Sequence, residues 1–250
     1  MSEMHNLRNP PIAEALINIQ YNLSSDFNIS FWEELIPIFK EYFTDVKKTF
    51  KVEKNNLNIE PEKQETISKS HLHNGYTFFN KDKSEVLQIK LDGFAFNFVK
   101  KYSGWEDLKG KSLKYWTIFY DFSKNYIRGV NRIGVRFINK ISLPQTLNLG
   151  DYFVMLPILP DVILEKEELN RMFIRVSFYN KELNCNTIVT SSTLEMKNSE
   201  SMFDYLLDLD SYLIEDFEIN AIWEKIESLR NYKNTLFFSL ITEKTLNLFK

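Results

Sequence analysis

Val130-Asn131-Arg132-Ile133-Gly134-Val135-Arg136-Phe137-Ile138-Asn139-Lys140-Ile141-Ser142-Leu143-Pro144, close to the midpoint of the chain, decides the fold. Side chains alternate sides along a strand. Ile133, Val135, Phe137 and Ile141 therefore share one face, while Arg132, Gly134, Arg136 and Lys140 share the other. A strand that is apolar on one side and cationic on the other belongs in a sheet with one covered face.

The same period of two recurs on both sides of this stretch. Ala13 to Asn22 reads as a half-buried strand following the extended segment Leu7-Arg8-Asn9-Pro10-Pro11, because each proline fixes its own φ and disfavours helix in the residue before it. Val46 to Lys101 reads as four or five short antiparallel strands. Asn74-Gly75 and Asp92-Gly93 are its strongest hairpin signals, since both pairs tolerate the positive φ of a type I′ turn. After the central strand, Arg171 to Tyr179, Asn186 to Met196 and Phe203 to Leu213 alternate in the same way, and the last two are expected to pair through Lys197 to Ser201.

Helical spacing interrupts these runs. Ser30 with Glu33 three residues on forms a capping box, which predicts a helix over Phe31 to Phe43 that Pro37 kinks or shortens. Trp105 to Tyr126 places Leu108, Leu113, Trp116, Phe119, Tyr120 and Ser123 on or near one face. Leu149 to Phe153 suggests a helical turn. Ile219, Ile222, Trp223, Ile226 and Leu229 define a further helix with Asp216 as cap, and a last helix over Thr235 to Leu248 follows a break at Asn231 to Asn234.

The predicted class is α+β, antiparallel sheets packed by long helices. Residues 1–126 and 127–250 repeat an order β-α-β(3–5)-α, two similar halves that together form one unit. That order resembles the half-repeat of the TATA-box-binding-protein-like and helix-grip folds, and a fold of itself does not give a function.

Composition narrows the function. The 250 residues are 44% hydrophobic with 21 Phe but 7 Gly, so packed elements are expected rather than glycine-rich phosphate loops. A formal charge of -3 gives no global attraction to nucleic acid or an anionic membrane. The lone Cys185 and the polar start Met1 to Arg8 point to a reducing cytoplasm, and the apolar run Tyr152 to Pro160 is about half of the roughly 18 residues a membrane-spanning helix needs.

The chain also resembles a sporadically distributed bacterial family of similar length. The likeness lies in Leu7-Arg8-Asn9-Pro10-Pro11-Ile12-Ala13-Glu14-Ala15, Asn131 to Asn139 with Pro144, Gly150-Asp151-Tyr152-Phe153 and Leu207-Asp208-Leu209-Asp210. This family has no established activity. The resemblance implies a cytoplasmic protein of bacteria or mobile elements, with an accessory or phage-defence role.

Candidate chemistry is sparse. Arg132, Arg136 and Arg175 project from the face opposite the apolar one, where bidentate guanidinium forks suit phosphate or carboxylate. Pairing with Glu14, Glu195, Asp208 or Asp210 across the sheet is the more ordinary fate of such arginines. Asp204, Asp208 and Asp210 align along one strand, yet ligands from a second element are missing for a metal. His71 and His73 have no third partner for zinc. With no nucleophile elbow, Walker loop, dinucleotide fingerprint or zinc motif, no catalytic residue, cofactor or metal is assigned. A protein partner or homo-oligomer is expected ahead of nucleic acid, and no membrane. The four tryptophans sit on predicted helices, where core filling is the usual role.

Overall fold

A computed structural model describes residues 7–54, 69–144, 148–160, 171–193 and 202–250. Its strands are β1 (Ile12–Leu23), β2 (Asp45–Lys54), β3 (Lys69–Phe79), β4 (Glu85–Lys90), β5 (Gly93–Val99), β6 (Ile127–Pro144), β7 (Phe173–Asn180), β8 (Cys185–Thr193) and β9 (Met202–Phe217). The helices are α1 (Leu35–Phe39), α2 (Trp105–Ser123), α3 (Ile222–Leu240) and α4 (Glu243–Leu246), with short 3-10 turns at Ile29–Glu34, Leu149–Asp151 and Ile219–Ala221. The strands form one antiparallel sheet in the order β2-β3-β4-β5-β1-β6-β9-β8-β7, an α+β architecture.

The stretch that opened the reading is β6, near the middle of that sheet. Ile133, Val135, Phe137 and Ile141 are buried, as their alternation requires. Ala15, Ile17, Ile19 and Tyr21 of β1 do the same beside them. α2 lies over β5 and β1, and α3 lies over β6 and β9, so both long helices cover the same apolar face. α2 begins with Glu106 and Asp107, carboxylates that favour the positive end of the helix dipole. Rings fill the layer between. Phe119 lies 5.3 Å from Tyr21 and 5.9 Å from Phe94, and Trp32 donates its indole N–H to Ser123 at 3.1 Å. Each such side chain removed from water contributes about 1.5–3 kcal/mol. A second apolar cluster joins β6, β8 and β9 to Phe237 and Ile241, with Phe153 stacked on Tyr205 at 3.5 Å.

Several local expectations change. Asn74-Gly75 is not a turn: Thr49 faces Gly75 while Phe50 faces His73, so Asn74 is the extra residue of a bulge inside β3. Gly75 has φ +152°, and a Cβ there would stand 2.0 Å from the Ile89 carbonyl oxygen. The hairpin expected at this dipeptide is absent; the unusual φ that glycine tolerates serves a bulge here, and Asn74 has no positive φ. The β4–β5 hairpin turns at Leu91-Asp92, since Lys90 already faces Gly93, one residue earlier than Asp92-Gly93. Among the described residues, positive φ outside glycine occurs only at Lys83, Lys100 and Asn184, so this turn is not type I′. The described part of Val46 to Lys101 holds four strands, within the four or five expected.

The first helix begins as a 3-10 turn capped by Asn28, whose side chain accepts from Ser30 N–H, rather than by Ser30 itself. Only five residues with Pro37 at the middle become α-helix. On α2, Ser112 and Tyr115 are buried where Leu113 is 42% exposed. Asp216 belongs to β9, and α3 runs unbroken through Asn231 to Asn234 until Ile241 adopts an extended conformation and bridges to Phe153. Asparagine weakens a helix without breaking it when the flanking turns are buried. Glu195, His5 and the link Lys197 to Ser201 lie outside the described residues.

Candidate functional site

The face of the sheet away from α2 and α3 carries the residues singled out for anion binding. β6 and β9 pair so that Arg136 stands directly opposite Asp210, Lys140 opposite Leu206 and Arg132 opposite Ile214. None of the three cations meets the residue opposite as its nearest partner. Arg136 makes a bidentate contact with Asp208, Nε at 2.9 Å and an Nη at 2.7 Å. Lys140 reaches Asp204 at 2.7 Å. Arg132 lies 4.1 Å over the Tyr212 ring. In each case the cation leans two residues along β9 in the same direction. A diagonal neighbour in a sheet is about 7–8 Å away, a span that only long side chains cross, and sheet twist brings one of the two diagonals closer. The Arg136–Asp208 and Lys140–Asp204 pairs thus share one offset, whereas Arg132 stacks on Tyr212 at that offset and reaches on to Asp210 for its ion pair.

Arg132 is the most enclosed of these cations. Its guanidinium donates to Asn18 and stands 3.5 Å from Asp210, with 18% of its side chain exposed. Burial pushes the Asp210 carboxyl above its ordinary range against the pull of Arg132 and Arg136, and no donor among the described residues reaches its Oδ1. At Asp204 burial works upward too, but hydrogen bonds from Lys140 and Ser142 prevail and the carboxyl is lowered. The Asp208 contact raises Arg136. Glu14 accepts from Asn97 at 2.6 Å and makes no ion pair with an arginine among the described residues; its charge still favours protonated Arg136.

Arg132 and Arg136 border a depression of about 490 Å³ on this face, together with Asn18, Gln20, Lys90 and Asp210. Arg175 does not join them. It is exposed on edge strand β7, three strand spacings or about 14 Å from β6, and acts on Asp210 only through its charge. The three aspartates are committed to cations rather than converging: among the described residues, no three His, Cys, Asp or Glu side chains form a metal-binding group. His73 contacts the Gly75 carbonyl at 3.0 Å and packs edge-on to Tyr76, while the His71 side chain is outside the described set. Cys185 is buried, and burial raises its thiol, which makes it a poor nucleophile.

One residue escaped the sequence reading. Lys233 on α3 is 5% exposed and borders a separate cavity on the helix side of the sheet. Its signal was present: Ile222, Ile226, Leu229, Lys233 and Phe237 form the buried stripe of α3, with a lysine where the period asks for an apolar residue. Reading a helix break at Asn231 to Asn234 hid it.

Fold and surface together define an α+β protein with a charge-paired sheet face and, among the described residues, a depression on that face and a cavity on the helix side. No family model matches the chain, and no curated protein matches it in sequence. Among the described residues no helix is long and apolar enough to cross a membrane.

Proposed function

We propose that this chain is a non-enzymatic binding or adaptor protein, of the bacterial accessory and phage-defence kind that its motifs resemble, and that its docking surface is edge strand β7 with the adjoining open face. The observation that carries this reading is the exposure of β7. Phe173 and Tyr179 on the open side are 66% and 51% exposed, and Val176 and Phe178 on the other side are 40% and 37% exposed. Among the described residues no strand pairs with the outer edge of β7, so this edge strand with aromatic side chains on both faces offers backbone groups and apolar anchors, the requirements for adding a strand from another protein. The commitment of Arg132, Arg136 and Lys140 to aspartates favours a protein partner over a polyanion, because a phosphate backbone would have to displace those carboxylates.

The strand order supports two β-α-β(3–5)-α halves, residues 1–126 and 127–250, in a TATA-box-binding-protein-like or helix-grip-like arrangement. In each half the last strand returns beside the first, β5 on β1 and β9 on β6, and the first strands meet at the centre.

Co-purification from native extract followed by mass spectrometry tests the docking surface. The expected result is a stoichiometric protein partner held by the wild type and lost by Phe173→Glu with Tyr179→Glu, the thermal midpoint being unchanged. Retention of the partner by that variant refutes the assignment to β7. A monomer that retains nothing refutes the adaptor reading, and a dimer broken by the same substitutions identifies the partner as a second copy. A second reading, binding of an anion or nucleotide in the 490 Å³ depression, draws on Asp210 Oδ1, an acceptor without a donor beside two guanidiniums. It predicts salt-sensitive binding lost on Arg132→Ala plus Arg136→Ala.

A further inference from the structure

The cavity on the helix side has about 330 Å³ of space between the N-terminal segment, the turn that precedes α2, β6 and α3. Its cationic groups are Arg8, Arg230 and Lys233, and no aspartate or glutamate lines it among the described residues. The rest of its wall is largely apolar, with Tyr102, Phe137 and Phe237 supplying rings. A volume near the lower end of the roughly 300–1,000 Å³ seen for small-molecule sites suits a compact ligand.

Lys233 is the anomaly within it. The ammonium rests 3.5 Å from the centre of the Phe137 ring, and among the described residues no hydrogen-bond acceptor meets it. A ring face recovers part of the cost of burying a cation but accepts none of its three N–H groups in the ordinary sense. A methionine or leucine at this place would continue the apolar stripe of α3 without that cost. The same helix sets Arg230 one turn earlier, 5.7 Å over Trp105, so a second cation faces the cavity mouth from the same side.

We propose that this cavity binds a small organic oxyanion, a carboxylate or phosphate head on an apolar or aromatic body, with Lys233 seating the head and the rings of Tyr102, Phe137 and Phe237 enclosing the body. An oxyanion supplies acceptors to Lys233, and among the described residues no lining carboxylate competes for the position. The site is independent of the β7 docking surface, on the other side of the sheet, so either can fail alone.

Burial holds the Lys233 ammonium down to about 7, with Arg230 adding to the effect. The other titratable and charged groups lining the cavity, among the described residues, are the Tyr102 hydroxyl, pushed up to about 12 by burial with opposing influences from Arg230 and Glu106, and the guanidiniums of Arg8 and Arg230. β6 contributes only Phe137 and Asn139 to the lining. Behind the wall, Glu227 is engaged by Trp105 and Lys109. Oxyanion affinity should therefore fall as pH rises from 6.5 to 8.5.

Calorimetric titration of the full chain with benzoate, phenyl phosphate, inorganic phosphate and neutral benzyl alcohol is the test. Saturable binding is expected for benzoate or phenyl phosphate, whichever head fits. It should weaken at least tenfold in Lys233→Met and severalfold in the exposed variant Arg8→Ala. In the wild type, the Lys233 side-chain carbon resonance should titrate near neutrality and move to higher pH when the probe is added. That measurement stands even where Lys233→Met does not fold. Failure of both organic probes to saturate, or equal binding by a folded Lys233→Met, overturns the site. Inorganic phosphate binding as tightly as phenyl phosphate, or benzyl alcohol as tightly as benzoate, overturns the ligand class.

Discussion

Replacing Lys233 by methionine is expected to make the folded protein more stable at neutral pH. In the unfolded chain a lysine ammonium keeps its ordinary value of 10.5, whereas burial brings Lys233 down to about 7 in the folded one. At about 1.4 kcal/mol for each pH unit, the difference amounts to about 5 kcal/mol against folding when both states are protonated. The Phe137 ring under the ammonium recovers about 1–2 kcal/mol of that. The sign follows from proton counts. Below pH 7 both states hold the proton and the cost is complete; between 7 and 10.5 the unfolded state binds more protons, so stability rises with pH; above 10.5 the cost is gone. Wild-type unfolding free energy from urea titrations in phosphate-free buffer should thus increase by about 2 kcal/mol from pH 7 to pH 9. Lys233→Met should exceed the wild type by about 2–4 kcal/mol at pH 7, and the gap should narrow by pH 9. A variant that is less stable at pH 7, or two curves that run parallel between pH 7 and 9, refutes the buried, acceptor-free ammonium.

Gly75→Ala should destabilise by about 3 kcal/mol or more in the same titrations, because the new Cβ collides with the Ile89 carbonyl at a φ that alanine avoids; a loss under about 0.5 kcal/mol would show that the bulge relaxes. A double-mutant cycle on Arg136→Ala and Asp208→Ala should return a coupling of about 1–2 kcal/mol for the bidentate contact, while the cycle with Asp210→Ala, the residue directly opposite, should return less. Ser123→Ala removes the buried acceptor of the Trp32 indole and should cost about 1–3 kcal/mol, read as a lower thermal midpoint with the Trp32 emission shifted. Asp208→Asn with Asp210→Asn should give the protein a salt-sensitive affinity for single-stranded DNA beyond that of the wild type in filter binding, since it frees Arg136 and Arg132.

What the sequence disclosed followed from period. β1 and β6 alternate over long runs, and the structure buries the residues that the alternation selects. The pairing of β8 with β9 was legible from adjacency, and the three cations of β6 showed their side of the sheet. Register was not legible. That Arg136 meets Asp208, 72 residues on, rather than Asp210 depends on how two strands distant in sequence align, and on which diagonal the twist shortens. Asn74-Gly75 failed for a different reason: tight turns and bulges make the same demand on φ, and only the β2 partner distinguishes them. Asn231 and Asn234 lower local helix propensity and so signal a break, whereas the buried stripe continuing through Phe237 holds Ile222 to Leu240 together as one helix.

Arg136 and Phe137 are consecutive in β6, and the period of two sends one to each side of the sheet. Arg136 anchors the ion-pair ladder of the open face; Phe137 lies beneath Lys233 in the cavity on the other. The residues that flank them repeat the pattern, Val135 and Asn139 inward, Ile138 and Lys140 outward. A strand paired along both edges, with β1 over Ile127 to Asn139 and β9 over Val130 to Pro144, has little freedom to slide, because a slip of one residue would place guanidiniums in the core. The ladder therefore fixes the register that positions Phe137, and the core packing around Phe137 fixes the register that spaces the ladder. Breaking the Arg136–Asp208 contact should lower stability without altering oxyanion affinity, since Phe137 is still held by its neighbours; a change in affinity would mean that the two faces of β6 move together.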